Sequence, residues 1–301
     1  AAGYPVKPVR FIAPFPPGGS TDLLARLVAL KLSEAWGQQV IVENRGGAAG
    51  TIGVELAARA APDGYTIVMG HVGTFGVNPT LYPKLSYDAI KDFAPITMLA
   101  TVPNGMAVHP SLPVKTARDF VALARAKPGE LLYASGGSGS ASHLAGEYFK
   151  LLTKINMVHV PYKGTGPAMV SMISGETTMT ITGMTALMPH VKSGRLKLLG
   201  VATMKRLPIL PNIPTINESG VPGYDVNQWY GVLTQAAVPR DIVMKLHGEI
   251  VKVLARADVK ERLAADGAEA VANTPEQFAA HIKSEIARWA PVVRASGAKP
   301  D

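Results

Sequence analysis

The sequence predicts an α/β protein with two successive β/α series, and three observations support this prediction. Short apolar segments alternate with segments of helical periodicity along most of the chain, an order typical of parallel sheets covered by helices. Loops rich in glycine, serine or proline directly follow several of the predicted strands. The chain of 301 residues is longer than one hydrophobic core usually supports, so two domains are expected.

The first series alternates strands and helices from the start of the chain to about residue 102. Ser20 is predicted as the N-cap of the first helix, because a serine hydroxyl can accept a hydrogen bond from a backbone N–H at a helix start. The predicted strands are 9–13, 40–42, 66–69 and 96–102, and the predicted helices are 20–36 and 54–60.

The second series begins after Pro103-Asn104-Gly105, which we expect to interrupt the extended segment. After a proline-rich loop at 208–222, we expect a strand at 225–233 and two or three helices, the last starting with a capping box at Thr274. The predicted strands between these points are 106–108, 131–135, 157–160, 177–182 and 198–202, and the helices are 116–126, 143–153, 167–174 and 184–192.

The motif PFPPGGSTD at residues 14–22 joins a strand to a helix through a loop with free backbone amides. A helix N-terminus carries partial positive charge and suits a small anion. Taken alone, the motif is more often a plain strand-to-helix turn, because most such loops bind nothing. Similar loops follow other strands at 71–76, 136–142 and 162–166. Two such helix ends facing each other across a cleft would hold two anionic groups, or both ends of one ligand.

Composition excludes several classes of protein. The net charge is +8, but the 30 lysines and arginines are scattered without a run of five, which argues against nucleic-acid binding. No apolar run is long enough to span a membrane. Cysteine is absent, so disulfides and thiolate sites are excluded. The sequence lacks a nucleotide P-loop, a dinucleotide motif and histidines at metal-binding spacing, so we expect no cofactor and no metal.

One catalytic alternative stays open at this point. Ser138 and Ser140 lie among glycines with His143 close by, and a serine hydrolase would need such a serine paired with a histidine and a carboxylate. The loops offer hydrogen-bond donors without a recognisable catalytic pair, which favours binding over turnover.

Eight motifs together resemble one family, the extracytoplasmic solute receptors of the tripartite tricarboxylate transporter (TTT) family, of the Bug or TctC type. The resemblance extends in order from about residue 4 to 297. The motifs are PFPPGGSTD at 14–22, VENRGGAAGTIG at 42–53, GTFGVNPTLY at 73–82, YDAIKDFAPI at 87–96, ASGGSGSASHLAGEYFK at 134–150, VHVPYKGTGPA at 158–168, PHVKSGRLKLLGVAT at 189–203 and LPNIPTINESGVPGY at 210–224.

The resemblance implies a type II periplasmic binding-protein fold. Two β/α lobes, residues 1–102 plus 226–301 and residues 103–225, would be joined by two crossing strands near 101–106 and 225–230, with a ligand cleft between them. Such receptors bind carboxylates and deliver them to a membrane permease, so we expect a periplasmic, monomeric, non-enzymatic protein. The N-terminal Ala1-Ala2-Gly3 suits the mature form of an exported protein, although a cloning remnant would look the same.

The loop analysis and the resemblance together give a set of candidate ligand-binding residues. Phe15 and Phe75 are expected to form an apolar wall, and the others supply hydroxyl, amide or cationic donors. Asp22 is set aside as a first-turn helix residue, because it would repel a carboxylate. The candidates are Phe15, Gly19, Ser20, Thr21, Gly73, Thr74, Phe75, Gly137, Ser138, Gly139, Ser140, Ser142, His143, Lys163, Gly164, Thr165, Gly166 and Thr182.

One departure from the family pattern bears on the ligand. Many relatives carry Phe-Asp-Asn where this chain has Ile181-Thr182-Gly183, so an acid that could pair with an ammonium group is missing. We therefore expect a ligand without an amine, a dicarboxylate of four to six carbons. An aromatic or keto acid and an acidic amino acid stay open as ligands, and a signalling receptor and a serine hydrolase stay open as functions.

Overall fold

The computed structural model describes residues 3–300, which contain ten strands and ten α-helices. The strands are β1 (Val9–Ala13), β2 (Val40–Asn44), β3 (Thr66–His71), β4 (Phe93–Val108), β5 (Leu132–Ser135), β6 (Val158–Pro161), β7 (Met179–Gly183), β8 (Lys197–Val201), β9 (Asn227–Gln235) and β10 (Glu269–Ala270). The helices are α1 (Ser20–Trp36), α2 (Thr51–Ala58), α3 (Asn78–Leu81), α4 (Ala117–Ala126), α5 (Ala141–Thr153), α6 (Thr165–Ser174), α7 (Met184–Lys192), α8 (Arg240–Leu254), α9 (Ala257–Ala264) and α10 (Pro275–Ser296).

The strands form two groups that share β4. In the first group, β1 pairs in parallel with β2 and β3, and β9 lies antiparallel between β3 and β4. In the second group, β5 pairs in parallel with β6 and β7, while β7 and β8 lie antiparallel to β4. The path through both groups is β2-β1-β3-β9-β4-β7-β5-β6. The two β/α series expected from the sequence are thus two lobes.

The expected break at 103–105 is wrong, because β4 is one continuous strand of 16 residues. Proline lacks an N–H and usually ends a ladder. Here the ladder changes partner at this point: Pro103 pairs with Asn227 of β9, and Asn104 pairs with Gly183 of β7. The strand therefore passes from one lobe to the other at Pro103, where the missing N–H of the proline disturbs the hydrogen-bond ladder least. Together β4 and β9 are the two crossing strands of the predicted architecture.

Ser20 is not the N-cap of α1, contrary to the prediction. Gly19 occupies that position with an extended backbone, and Ser20 is the first helical residue. The capping box predicted at Thr274 is confirmed, because Thr274 accepts a hydrogen bond from the Gln277 N–H; Thr116 caps α4 in the same way. The segment expected as a loop after β3 is a one-turn π-helix, Val72–Val77.

The C-terminal helices return to the first lobe. Helix α8 packs with α1 against the first-lobe strands around Phe11 and Leu246, and α10 packs against β4 and the π-helix. Glu285 on α10 accepts hydrogen bonds of 2.9 Å from the indole N–H groups of Trp229 and Trp289. Phe278, Ile282 and Trp289 lie on one face of α10 and are buried in the core. Within residues 3–300, no helix is both long and apolar enough to cross a membrane.

Candidate ligand-binding site

A cavity lies between the two lobes, where the carboxyl ends of the strands meet the helix starts. In open α/β sheets this edge is where ligands bind. The cavity is small, with a volume of about 20 Å³. Its lining residues within 3–300 include no Asp, Glu, Lys or Arg; they are Phe15, Gly19, Ser20, Thr21, His71, Gly136, Ser140, Ala141, Ser142, Thr165, Thr182, Gln228 and Tyr230.

A larger groove of about 510 Å³ lies elsewhere, beside α3 and α10. It is an open surface depression whose polar groups include the carboxylates of Asp88 and Asp92. Both accept hydrogen bonds from backbone N–H groups of their own turn, at 2.7 to 2.9 Å. Carboxylates in these positions would repel an anion, so the smaller cavity between the lobes is the better candidate despite its size.

The two lobes touch across the mouth of the cavity. A Cβ placed on Gly164 would lie 2.6 Å from Pro16 Cδ, and one on Gly166 would lie 2.5 Å from the Pro17 carbonyl oxygen. Real Cβ atoms do not approach so closely, so these glycines allow the loop at 14–19 and the start of α6 to meet. The structure therefore has the closed arrangement of the lobes.

Asp22 holds the first-lobe loop in place without lining the cavity. Its buried carboxylate accepts hydrogen bonds from the Gly18 N–H at 3.1 Å, from Arg26 Nε at 2.9 Å and from Asn44 Nδ2 at 2.9 Å. Asn44 Nδ2 also donates to the Phe15 carbonyl at 3.0 Å. Asp22, which was not expected to contact the ligand, thus fixes the position of the loop that the ligand would meet.

Neutral hydroxyl groups hold the second-lobe loop. Ser140 is the N-cap of α5, where its Oγ accepts from the His143 N–H at 3.2 Å, and it lies 3.1 Å from Ser142 Oγ. Ser142 Oγ accepts from the Gly136 N–H at 2.9 Å. Both serines also line the cavity. They therefore fix the loop and offer hydroxyl groups to a ligand.

His71 ends β3 and lies against the first-lobe loop. The Gly73 N–H donates a hydrogen bond of 2.7 Å to His71 Nδ1, so the proton of the neutral ring lies on Nε2. Burial lowers the pKa of His71 to about 3, so the ring is neutral at physiological pH. Its ring stacks on Phe15 with centroids 4.8 Å apart. His71 thus contributes an aromatic wall and an N–H donor without bringing a charge.

The structure brings together eight of the eighteen predicted residues in the cavity lining. These are Phe15, Gly19, Ser20, Thr21, Ser140, Ser142, Thr165 and Thr182. Three more line a small adjoining cavity that shares Phe15 and Gly136 with the first: Gly137, Lys163 and Gly164. The other seven line neither cavity: Gly73, Thr74, Phe75, Ser138, Gly139, His143 and Gly166.

The residues outside the cavities have other structural roles. Phe75 is fully buried and packs edge-on against Phe93 in the first-lobe core, so it forms no wall of the cavity. Thr74 Oγ1 lies 3.3 Å from the His71 carbonyl oxygen at the start of the π-helix. Gly139 donates its N–H to His143 Nδ1 at 2.9 Å. These residues stabilise the loops from behind.

Five lining residues were not predicted: His71, Gly136, Ala141, Gln228 and Tyr230. A signal for Gln228 and Tyr230 was present, because both lie in the predicted crossing strand and alternate residues of a strand share one face. Tyr230 pairs with His71 across the β3–β9 ladder, which brings the two side chains to the same edge. Strand pairing that the sequence does not reveal therefore placed them in the site.

The geometry of His143 does not suit the hydrolase alternative. In a catalytic triad, histidine Nδ1 donates its proton to a carboxylate. Here Nδ1 of His143 accepts the Gly139 N–H, and the ring stacks on His159 with the ring centroids 4.0 Å apart and an interplanar angle of 4°.

Within residues 3–300, no group of three or more His, Asp or Glu side chains could hold a metal ion.

Comparison with known proteins decides the family. The model of the TctC family, described as "Tripartite tricarboxylate transporter family receptor", matches residues 24–298. The chain belongs to this family. The TctC assignment agrees with the resemblance drawn from the eight motifs.

Three solved structures superpose closely on this chain. Rpa4515 of R. palustris with adipate has a TM-score of 0.96 at 37% identity, covering 99% of this chain and 100% of that one. The periplasmic binding protein BugD has a TM-score of 0.94 at 34% identity, covering 98% and 99%. MatC from Rhodopseudomonas palustris with bound malate has a TM-score of 0.92 at 33% identity, covering 96% and 100%. The chain thus has the periplasmic binding-protein fold and is a solute receptor of the TctC family.

Proposed function

We propose that this TctC receptor captures a small dicarboxylate without an amine, of four to six carbons, and delivers it to a TTT membrane permease. The observation that carries the proposal is the interlobe cavity. Hydroxyl, amide and imidazole donors converge on it, and charged side chains are absent from its described lining. The proposal takes the lobes as residues 1–102 plus 226–301 and 103–225, and the protein as a periplasmic monomer.

Neutral donors are sufficient to hold a carboxylate. A hydrogen bond to a charged group contributes about 1.5–3 kcal/mol. Three or four such bonds, after the entropic cost of association, correspond to roughly micromolar affinity. Ser20, Thr21 and Ser140 offer hydroxyl groups, and backbone N–H groups at the starts of α1 and α5 add to them. A buried lysine or arginine is not required.

The absence of an acid in the cavity lining favours a ligand without an amine. An ammonium group placed there would lose its hydration without gaining a carboxylate partner, which is costly. Thr182 occupies the end of β7 and supplies only a hydroxyl. The adipate in the Rpa4515 structure and the malate in the MatC structure are both dicarboxylates without an amine, which supports the same class here.

The proposal includes binding without turnover. A hydrolase would need a histidine oriented by a carboxylate beside a nucleophilic serine, and Nδ1 of His143 accepts a backbone N–H instead. Absence of ester turnover by the purified protein is therefore expected, and measurable turnover that is lost in Ser140→Ala would contradict this part of the proposal.

A thermal-shift screen of purified protein tests the ligand class. The screen compares succinate, malate and adipate with aspartate, glutamate and benzoate at equal concentrations. We expect the largest rise in Tm from one of the first three, because a ligand that binds only the native state stabilises it. Stronger stabilisation by an amino acid or by benzoate would overturn the proposed ligand class. Native mass spectrometry of the freshly purified protein would identify a retained ligand directly.

A further inference from the structure

A chain of buried polar side chains runs from the cavity to the two crossing strands. Tyr230 donates its hydroxyl proton to Gln228 Oε1, and Gln228 Nε2 donates to Asn104 Oδ1 at 2.7 Å. Asn104 Nδ2 donates to the Val226 carbonyl oxygen at 2.8 Å. Tyr230, Gln228 and Asn104 are at most 6% exposed. The cavity wall is thus bonded directly to β4 at the residue where that strand changes lobe.

A backbone carbonyl fixes the direction of every bond in this chain. The Val226 oxygen can only accept, so Asn104 must point its NH₂ group there and its oxygen towards Gln228. Gln228 must then turn its NH₂ group towards Asn104, which leaves its oxygen for Tyr230. Burial raises the pKa of Tyr230 above its ordinary value, so the phenol keeps the proton it donates. No member of the chain can reverse alone without placing two like groups together.

The fixed orientation decides what Gln228 offers a ligand. A glutamine that is free to rotate can present either its oxygen or its NH₂ group, so it can bind both amides and carboxylates. Here the oxygen is turned towards Tyr230, from which it accepts, and the NH₂ group is turned towards Asn104, to which it donates one of its two hydrogens. Gln228 lines the cavity, and its second amide hydrogen is a donor that it can offer to a ligand there.

We propose that Gln228 is a specificity-determining residue that acts as an oriented N–H donor for a ligand carboxylate, with Asn104 and Tyr230 as the positioning residues that set its direction. The inference rests on the proposed function and goes beyond it. It assigns selection of a carboxylate over an uncharged amide to one side chain, and it links that side chain to both crossing strands.

The test measures affinity by titration calorimetry for two ligands of the same shape. The first is whichever of succinate, malate and adipate binds the wild-type protein most tightly, and the second is its diamide. Gln228→Met removes the donor while keeping the length of the side chain. Asn104→Leu keeps Gln228 but removes the partner that orients its amide.

We expect Gln228→Met to weaken dicarboxylate binding by about tenfold to a hundredfold, which corresponds to one hydrogen bond to a charged group. In Asn104→Leu the amide of Gln228 can turn over, so dicarboxylate affinity falls while diamide affinity is kept or improves. The ratio of the two affinities therefore drops at least tenfold. A purely structural role of Asn104 would lower both affinities by the same factor, and that result would overturn the inference.

Two further variants keep the test decisive. If Asn104→Leu does not fold, Tyr230→Phe keeps the aromatic ring but frees the Gln228 oxygen, which can then accept from a ligand amide and repel a carboxylate, so the ratio of the two affinities is again expected to fall. Tyr4→Phe is the matched control, because it removes a buried tyrosine hydrogen bond of 2.6 Å to Gly64 in the same core cluster, away from the cavity. If the wild type binds none of the three dicarboxylates, the proposed function fails; if it binds but the ratios stay unchanged, only the present inference fails.

Discussion

The two loops that face each other across the cavity present similar groups but are held in different ways. The first-lobe loop, residues 14–19, is fixed by the carboxylate of Asp22 together with Arg26 and Asn44. The second-lobe loop, residues 136–142, is fixed by serine hydroxyls and by two histidines behind it, His143 and His159. The difference shows that a cavity lined by uncharged side chains can be held in shape by a charged carboxylate in one lobe and by titratable histidines in the other.

The largest effect should come from removing the Asp22 carboxylate, which holds the first-lobe loop. In Asp22→Ala the N–H groups of Gly18 and Asn44 lose a buried acceptor, so we expect a loss of about 3 kcal/mol in the free energy of unfolding. Dicarboxylate binding should become undetectable, because the loop is no longer fixed. Urea denaturation and calorimetry measure the two quantities.

Asp258→Ala is the matched control for this variant. Asp258 is paired with Arg256 and Lys31 at the surface, where ion pairs contribute little to stability. An equal loss of stability in the two variants would show that the buried position of Asp22 has no special importance.

The buried histidines predict that the free energy of unfolding depends on pH. Burial, together with His143 and Lys150, lowers the pKa of His159 to about 3, and burial does the same for His71. The unfolded chain takes up these protons near pH 6.5, so stability falls as the pH drops from about 6.5 towards 3, by up to about 1.4 kcal/mol per pH unit for each histidine. His159→Gln should reduce this slope in urea denaturation between pH 4 and 6, and an unchanged slope would contradict the prediction.

The next largest effect is on ligand affinity and comes from the contact between the two lobes. Gly164→Ala would place a Cβ 2.6 Å from Pro16 Cδ and keep the lobes from closing, so we expect affinity to fall about tenfold, or about 1.4 kcal/mol. Gly194→Ala is the control, because Gly194 also has a positive φ but nothing lies within 4 Å of its added Cβ. Both variants carry backbone strain, and only Gly164→Ala should change the dissociation constant.

The smallest effect concerns the helix cap in the second-lobe loop. Ser140→Ala should cost about 1 kcal/mol of stability, the usual value for an N-cap, and should also weaken dicarboxylate binding. Thr274→Ala removes an N-cap of the same kind at the start of α10, outside the cavity. It should cost similar stability and leave affinity unchanged. Equal affinities for both variants would show that the Ser140 hydroxyl does not contact the ligand.

Local chemistry explains what could be predicted from the sequence. The apolar segments and glycine-rich loops predicted the order of elements, since strand ends and helix starts are determined by neighbouring residues. The continuous β4 could not be predicted, because the exchange of partners at Pro103 depends on β7 and β9, which are distant in sequence. Phe75 was misplaced for the same reason: its π-helix directly follows His71 of the cavity lining, but its ring turns into the core.

The most direct test of the central claim uses two ligands that differ by a single amine. Titration calorimetry of the ligand-free protein with adipate and with 2-aminoadipate measures how the cavity responds to an ammonium group. The absence of an acid in the described lining predicts that adipate binds at least tenfold more tightly, because a desolvated ammonium group without a partner costs more than about 1.4 kcal/mol. Tighter binding of 2-aminoadipate would contradict the account of a cavity built from neutral donors for a carboxylate without an amine.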